Sequence, residues 1–332
     1  MAAVVAAGWS AVTRRVSGPT GQPVDATFAV SGGRAVVELA EASGLALCGT
    51  SRQPLTATTF GTGELIRAAL DEGCRTIVLG VGGSATTDGG AGLLQALGAR
   101  LRDDQDRELA PGGVALRQLT RVDLSRLDRR LAESTVTLAS DVDNPLLGPA
   151  GAAAVFGPQK GADDADIAVL EAGLTRWAER IAVATGSDRS TQPGAGAAGG
   201  TGFAALAVLG AGMRPGIDVV LDEIGADRRL AAAGLVVVGE GRLDEQSLRG
   251  KAPVGVARRT PRGVPVVAVS GECTVDDERL RDAGISGSET LLAAAGGDRS
   301  VAMTEAARLL EGIGRRLLDV PRAAVPEGPA PR

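Results

Sequence analysis

Apolar and polar positions along this chain follow two rhythms, short β-rich runs and longer stretches with helical spacing. RAVVELA (34–40), TIVLGV (76–81), TVTLAS (135–140), LVVVG (235–239) and PVVAVSG (265–271) read as strands. GELIRAALDEG (63–73), AGLLQALGARL (91–101), a long segment near 164–184 and another near 202–212 read as helices. This alternation predicts an α/β protein with βαβ units on a mainly parallel sheet. The runs at 76–81, 135–140, 235–239 and 265–271 all end in polar or glycine-rich loops, and ligands of open α/β sheets gather at strand carboxyl ends. The polar segment 102–132 is expected at the surface as a linker or hairpin. DRSTQPGAGAAGG (188–200) is a second break, and VPRAAVPEGPAPR (320–332) is expected to be disordered.

Composition narrows the picture. With 332 residues, 44% of them apolar, the chain can bury two cores without staples. A net charge of −5 with both signs dispersed provides no basic field, so neither nucleic acid nor an anionic membrane is an expected partner. MAAVVAAGWSAVTRRV lacks the pattern of a signal peptide, and no apolar run approaches about 18 residues, so a cytoplasmic protein is expected. Cys48, Cys74 and Cys273 fit free thiols in a reducing compartment. With 48 glycines and 2% aromatics, backbone is expected close to ligands, and flat stacking surfaces are scarce. Histidine and tyrosine are absent, which removes imidazole bases, His-ligated zinc and tyrosine acids and leaves acid–base work to Asp, Glu or Lys. Arginines number 33 and lysines 2, so Lys160 and Lys251 stand out.

Four loops could carry chemistry. GVGGSATTDGGAG (80–92) joins a strand to a helix, where glycines can turn N–H groups toward an anion and Ser84, Thr86 and Thr87 add hydroxyls. The alternative is a plain glycine turn with Asp88 capping the helix. SDVDNPLLGP (140–149) sets Asp141, Asp143 and the only asparagine, Asn144, at another strand end, suited to Mg²⁺ or a substrate hydroxyl, or to an Asx-turn before Pro145. FGPQKGA (156–162) and GEGRLDEQSLRGKAP (239–253) hold the two lysines, whose ammonium groups suit phosphate oxygens. Lysines that have simply not drifted to arginine are the alternative. GK at 250–251 is not a Walker A loop, since Glu245 and Ala252 occupy its Gly and Ser/Thr positions. GAGAAG (194–199) matches G-x-G-x-x-G but follows DRSTQP, not a strand, so it reads as a phosphate contact or a close-packing loop.

In order and spacing, EASGL (41–45), TTFGTGELI (58–66), GVGGSATTDGGAG, SDVDNPLLGP, AAVFGPQKGA (153–162), PGAGAAGGTG (193–202) and GEGRLDEQSLRGKAPVGVA (239–257) resemble the glycerate kinase family. The resemblance implies ATP-dependent phosphorylation of glycerate, with 2-phosphoglycerate favoured. It implies a two-domain protein: a flavodoxin-like domain over 42–243, and a second α/β domain built from both ends, 1–41 and 244–319. Family members open with a strand leading to a DSFKGSL-like loop and then ADGGEGT, about fifty residues not found here ahead of SGPTGQPV (17–24). The chain is therefore expected to begin inside the family's sequence, with residues 1–16 as the helix following ADGGEGT. Within this frame Gly82, Gly83, Ser84 and Thr86 are assigned to phosphate, and Lys160 and Lys251 to the transferring group. Asp141 is assigned to Mg²⁺, Arg242 and Asn144 to glycerate, and Asp244 to general base. An inactive ligand-binding homologue and a kinase for another small hydroxy acid are the rival readings, and a homo-oligomer is left open.

Overall fold

The computed structural model describes residues 1–319, so the tail expected at 320–332 lies outside the described residues. The chain divides into two compact units, Met1–Gly216 and Ile217 onward.

The first unit is built on six strands: β1 (Ser10–Ser17), β2 (Pro23–Ser31), β3 (Arg34–Glu38), β4 (Thr76–Gly80), β7 (Thr135–Ala139) and β8 (Gly212–Arg214), side by side in that order. Two further strands, β5 (Arg100–Arg102) and β6 (Arg121–Asp123), pair separately as an antiparallel ribbon. From β3 to β8 neighbours run parallel, and β1–β2–β3 is an antiparallel meander on the edge. The parallel strands are apolar on both faces, as in Ile77, Val78 and Leu79, because helices and loops cover both sides. Register places Glu38 opposite Gly80, Gly80 opposite Ala139 and Ala139 opposite Arg214, so the strands end in one row.

Helix α1 (Phe60–Asp71) crosses helix α2 (Ala91–Ala96) so closely that a Cβ on Gly63 would lie 2.3 Å from the Leu93 carbonyl oxygen. Helix α3 (Asp164–Thr185) opens on a capping box formed by Asp163 and Asp166 and ends at left-handed Gly186, which stops it. Its Leu170, Leu174, Trp177 and Ile181 recur at helical spacing on the buried face.

Several expectations need correction. Residues 1–16 are a short helix, Ala2–Ala6, followed by β1, whose polar pattern hid an edge strand with one fully buried side chain, Val16. The helix expected at 91–101 stops at Ala96, because Gly98 turns left-handed (φ +106) and β5 follows. The helix expected at 202–212 lies within α4 (Ala197–Ala207), whose Ala198, Gly199 and Gly200 are left-handed so that regular helix begins only after them, and β8 follows it. Segment 102–132 is not all surface, since Leu109, Ala115, Leu116 and Leu119 are buried beneath α3. Strands β1–β3 are hydrogen-bonded into the sheet of β4, β7 and β8 within the first unit, which runs to Gly216.

The second unit carries three parallel strands, β9 (Val236–Leu243), β10 (Val266–Cys273) and β11 (Gly287–Thr290), with β10 central. Helix α5 (Ala252–Arg259) packs on β9 with Val254 and Ala257 in the core. Helix α6 (Ala306–Leu317) turns Leu309, Ile313 and Leu317, four residues apart, to the buried side, and Ile313 and Leu317 pack with Val267. Among the described residues no helix is long and apolar enough to cross a membrane, and the three cysteines are free thiols.

Candidate functional site

In the first unit the 80–92 loop leaves β4 at the carboxyl edge. Gly82 and Gly83 are exposed, and Gly83 is left-handed (φ +69). From Ser84 onward the loop is buried. It is stitched to the 43–45 segment by Leu45 N–H to the Gly83 carbonyl (2.8 Å) and Ala85 N–H to the Ser43 carbonyl (2.9 Å).

Asp88 organises the buried part. One carboxylate oxygen accepts from the Thr59 N–H and hydroxyl (both 2.8 Å) and from the Gly92 N–H (3.3 Å), and the other accepts from the Gly90 N–H (3.1 Å). Desolvation pushes its pKa up, against the pull of these hydrogen bonds. Asp88 thus ties Thr59 to the N–H groups of Gly90 and Gly92 at the start of α2, whose N-cap residue is Gly90.

Lys160 sits in a short 3₁₀ turn closed by left-handed Gly161, and Arg52 clamps this turn by donating to the Gln159 carbonyl (2.7 Å). The Lys160 side chain is 1% exposed, and its ammonium donates to the Thr86 carbonyl (2.6 Å). Desolvation takes its pKa down from 10.5 to about 8, with the Asp88 charge acting in the opposite sense. Lys160 thus braces the loop from inside rather than facing solvent. Thr86 is also fully buried, and its hydroxyl, like that of Thr87, has no protein partner.

The GAGAAGG segment packs against this same loop. Gly89 N–H donates to the Gly199 carbonyl (3.0 Å), and Trp177 Nε1 donates to the Gly89 carbonyl (2.9 Å). A Cβ on Gly199 would stand 1.9 Å from the Thr86 carbonyl oxygen, and one on Gly200 would stand 2.8 Å from the Gly89 Cα. Of the two sequence alternatives for this segment, close packing describes what it does.

Beside Gly82 and Gly83 in the row of strand ends, Asp141 is exposed and accepts from the Gly216 N–H (2.8 Å), while the Ser140 N–H donates to the Arg214 carbonyl (3.1 Å). Asn144 donates its side-chain amide to the Ala150 carbonyl (2.8 Å) and so closes its own loop. Among the described residues no group of three or more carboxylates or thiols is preassembled for a metal. Mg²⁺ characteristically takes one or two protein carboxylates and completes its shell with phosphate and water, so Asp141, exposed with Asp143 two residues on, fits it.

In the second unit Glu240, Arg242 and Asp244 follow one another along and just beyond the carboxyl half of β9. Lys251 stands at the cap of α5, 3.4 Å from a Glu240 carboxylate oxygen. A cation at a helix N-terminus works against the helix dipole unless an anion is present. Asp244 accepts from the N–H groups of Gln246 (2.9 Å) and Ser247 (3.2 Å). Desolvation raises its pKa, but these hydrogen bonds and the Lys251 and Arg242 charges outweigh that and hold it below the ordinary value. Arg242 approaches Glu272 at 4.0 Å, and Glu272 also accepts from Arg299 (3.0 Å).

Sequence reasoning missed Thr59, Trp177, Glu272 and Arg299. Thr59 lay in view within TTFGTGELI, and Glu272 lies in β10 three residues past its apolar run.

Parallel strands ending in glycine loops, with carboxylates and cations at their tips, define an α/β protein built to hold small anionic ligands. A sequence profile of the glycerate kinase family matches residues 1–321, and the chain belongs to that family. It is 48% identical to a glycerate kinase of Bacillus subtilis over 274 residues, covering 81% of this chain and 72% of the relative. It is 44% identical to glycerate 2-kinase of Escherichia coli over 285 residues, 85% of this chain and 75% of the relative. The crystal structure of a putative glycerate kinase 2 from Salmonella typhimurium superposes with a TM-score of 0.79 at 43% identity, covering 94% of this chain and 86% of that one.

Proposed function

We propose that this protein transfers the γ-phosphoryl group of ATP to glycerate, with 2-phosphoglycerate as the favoured product. Family membership, with relatives named glycerate kinase and glycerate 2-kinase at 48% and 44% identity, carries the reading. In this reaction a glycerate hydroxyl oxygen bonds to the γ-phosphorus, the bond from phosphorus to the ADP oxygen breaks, and the hydroxyl proton leaves.

Roles are assigned unit by unit. In the first unit the exposed Gly82 and Gly83, continuing into Ser84, offer backbone donors to phosphate oxygens. Thr86, assigned from the sequence to phosphate, and Lys160, assigned to the transferring group, are read instead as holding that loop in shape, because both are buried. Asp141 would hold Mg²⁺, and Asn144 keeps the loop carrying Asp141 closed. Bound Mg²⁺ supplies charge neutralisation on the phosphates. In the second unit Lys251 suits a phosphoryl group and Arg242 a carboxylate, for which its planar fork is well shaped. Asp244 is the proton acceptor. Its low pKa makes it a weak base, which suffices where the transition state is loose and charge positioning dominates. A cytoplasmic setting is consistent with the free thiols.

The test is ADP release from ATP with a panel of small hydroxy acids, followed by phosphorus NMR of the product. Glycerate is expected to give the highest kcat/KM, with phosphate on its secondary hydroxyl. A better substrate among the other acids overturns the glycerate assignment, and nucleotide binding without any turnover favours the inactive-homologue reading.

A further inference from the structure

A small cavity of about 180 Å³ opens at the carboxyl ends of β9, β10 and β11, wholly inside the second unit. Its walls are the reason to look at it. Gly241 and Gly271 are adjacent across the β9–β10 ladder, since Glu240 pairs with Ser270 and Arg242 with Glu272. Two neighbouring strands therefore present bare backbone at the same level, a pattern that marks close approach of a ligand or another chain segment. The two glycines differ in what a side chain would meet. A Cβ on Gly271 would lie 2.6 Å from the Gly241 carbonyl oxygen, whereas one on Gly241 meets nothing within 4 Å and would project into open space. Gly241 is thus not required for packing within the unit.

Opposite the glycines the lining is aliphatic, from Leu291 and Leu292 on the short helix after β11 and from Met303, which is 77% exposed. Arg242, Glu272 and Arg299 complete the lining, with Glu272 paired to Arg299 at 3.0 Å. The cavity is too small for a whole ligand of ordinary size, which needs about 300 Å³ or more. It has the dimensions of one flat ring system, apolar on its faces, joined to a polar hydroxylated and anionic remainder.

We infer that this cavity takes the base of the purine nucleotide. Glu272 accepts hydrogen bonds from the ribose hydroxyls, and Arg299 faces the phosphate side. This rests on the kinase reading for the identity of the nucleotide. A chain with 2% aromatic residues has few rings on which to stack a base, and glycine backbone on one face with leucine and methionine on the other provides the flat apolar slot instead.

Calorimetry with ADP, 2′-deoxy-ADP and tripolyphosphate tests the assignment, using Gly241→Val, Met303→Glu and Glu272→Ala. Gly241→Val fills the slot without a backbone clash, and Met303→Glu puts a charge on its wall from an exposed position. Both are expected to weaken ADP at least tenfold and leave tripolyphosphate within twofold. Glu272→Ala should erase the preference of the wild type for ADP over 2′-deoxy-ADP. Unchanged ADP affinity in both Gly241→Val and Met303→Glu overturns the inference, and if the wild type still phosphorylates glycerate the kinase reading survives. Selective ADP loss in those variants, from a wild type that phosphorylates no hydroxy acid, supports the cavity and overturns the kinase reading.

Discussion

Replacing Lys160 by methionine separates a buried brace from a residue that touches phosphate. Burial has moved the ammonium from 10.5 to about 8, which is roughly 3 kcal/mol against the protonated form at about 1.4 kcal/mol per pH unit. Lys160→Met removes that penalty. It also leaves the Thr86 carbonyl, now 2.6 Å from Nζ, without a donor, at a cost of about 1–3 kcal/mol. At pH 7 the two effects oppose each other, so stability should change by less than about 2 kcal/mol.

The pH axis is more decisive. Between about pH 8 and 10.5 the unfolded lysine keeps its proton and the folded one has lost it, so folding stability rises with pH across that window. Below about pH 7 both states are protonated and the slope vanishes. Wild-type minus variant stability should be flat below pH 7 and climb by roughly 3 kcal/mol toward pH 10.5. The sequence has no histidine or tyrosine, and the two proteins share every other ionisable group. Urea unfolding followed by fluorescence of Trp177, whose indole is bonded to the same loop, reads the difference directly. A difference that stays level or falls from pH 7 to 10.5 would refute the buried placement of Lys160.

Asp88→Ala unpairs the Thr59 N–H and hydroxyl and two glycine N–H groups, and should cost more than about 3 kcal/mol in urea unfolding; a loss under about 1 kcal/mol contradicts its organising role. Gly199→Ala should lower Tm by more than about 10 °C by differential scanning calorimetry, or leave no folded protein, and a near-wild-type Tm would mean that the loops can part. Arg242→Lys should raise the KM for glycerate at least tenfold, or about 1.4 kcal/mol, and by more than it raises the KM for ATP; equal increases in both would place the guanidinium elsewhere. Asp244→Asn should cut kcat by about 10²–10⁴. Because Asp244 is held below the ordinary carboxylate range, the wild-type kcat should show no acid limb from it in that range, which a pH–rate profile checks.

The parallel strands were legible because residues such as Ile77–Leu79 and Val266–Ala268 are buried on both faces and stand as unbroken apolar runs. The β1 edge strand was not, since with little to bury it carries Thr13, Arg14 and Arg15 at its centre and shows no clear alternation. Segment 102–132 misled for a related reason. Its buried leucines, 109, 116 and 119, are anchored singly between polar residues, and no period announces them. The glycine loops were found at the right strand ends, but depth within a loop has no sequence signature. GGSATTD reads as one run of small polar residues, yet the surface passes between Gly83 and Ser84. Lys160 suffered most from this, because a lysine aimed at a ligand phosphate and one aimed at a carbonyl inside the protein are the same letter in the same kind of turn.

Where the 86–90 loop meets Gly199 and Gly200, main chain lies directly on main chain. Glycine codons are GGN, and every single-base change that alters the residue introduces a Cβ. At Gly199, with 1.9 Å available to that atom, and at Gly200, with 2.8 Å, no one-step substitution is sterically neutral. Neither loop can be remodelled while the other stays fixed, so the two behave as one heritable block. An engineer remodelling either loop should transplant residues 84–92 and 194–203 together, since a side chain added at Gly199 or Gly200 meets backbone of the other loop.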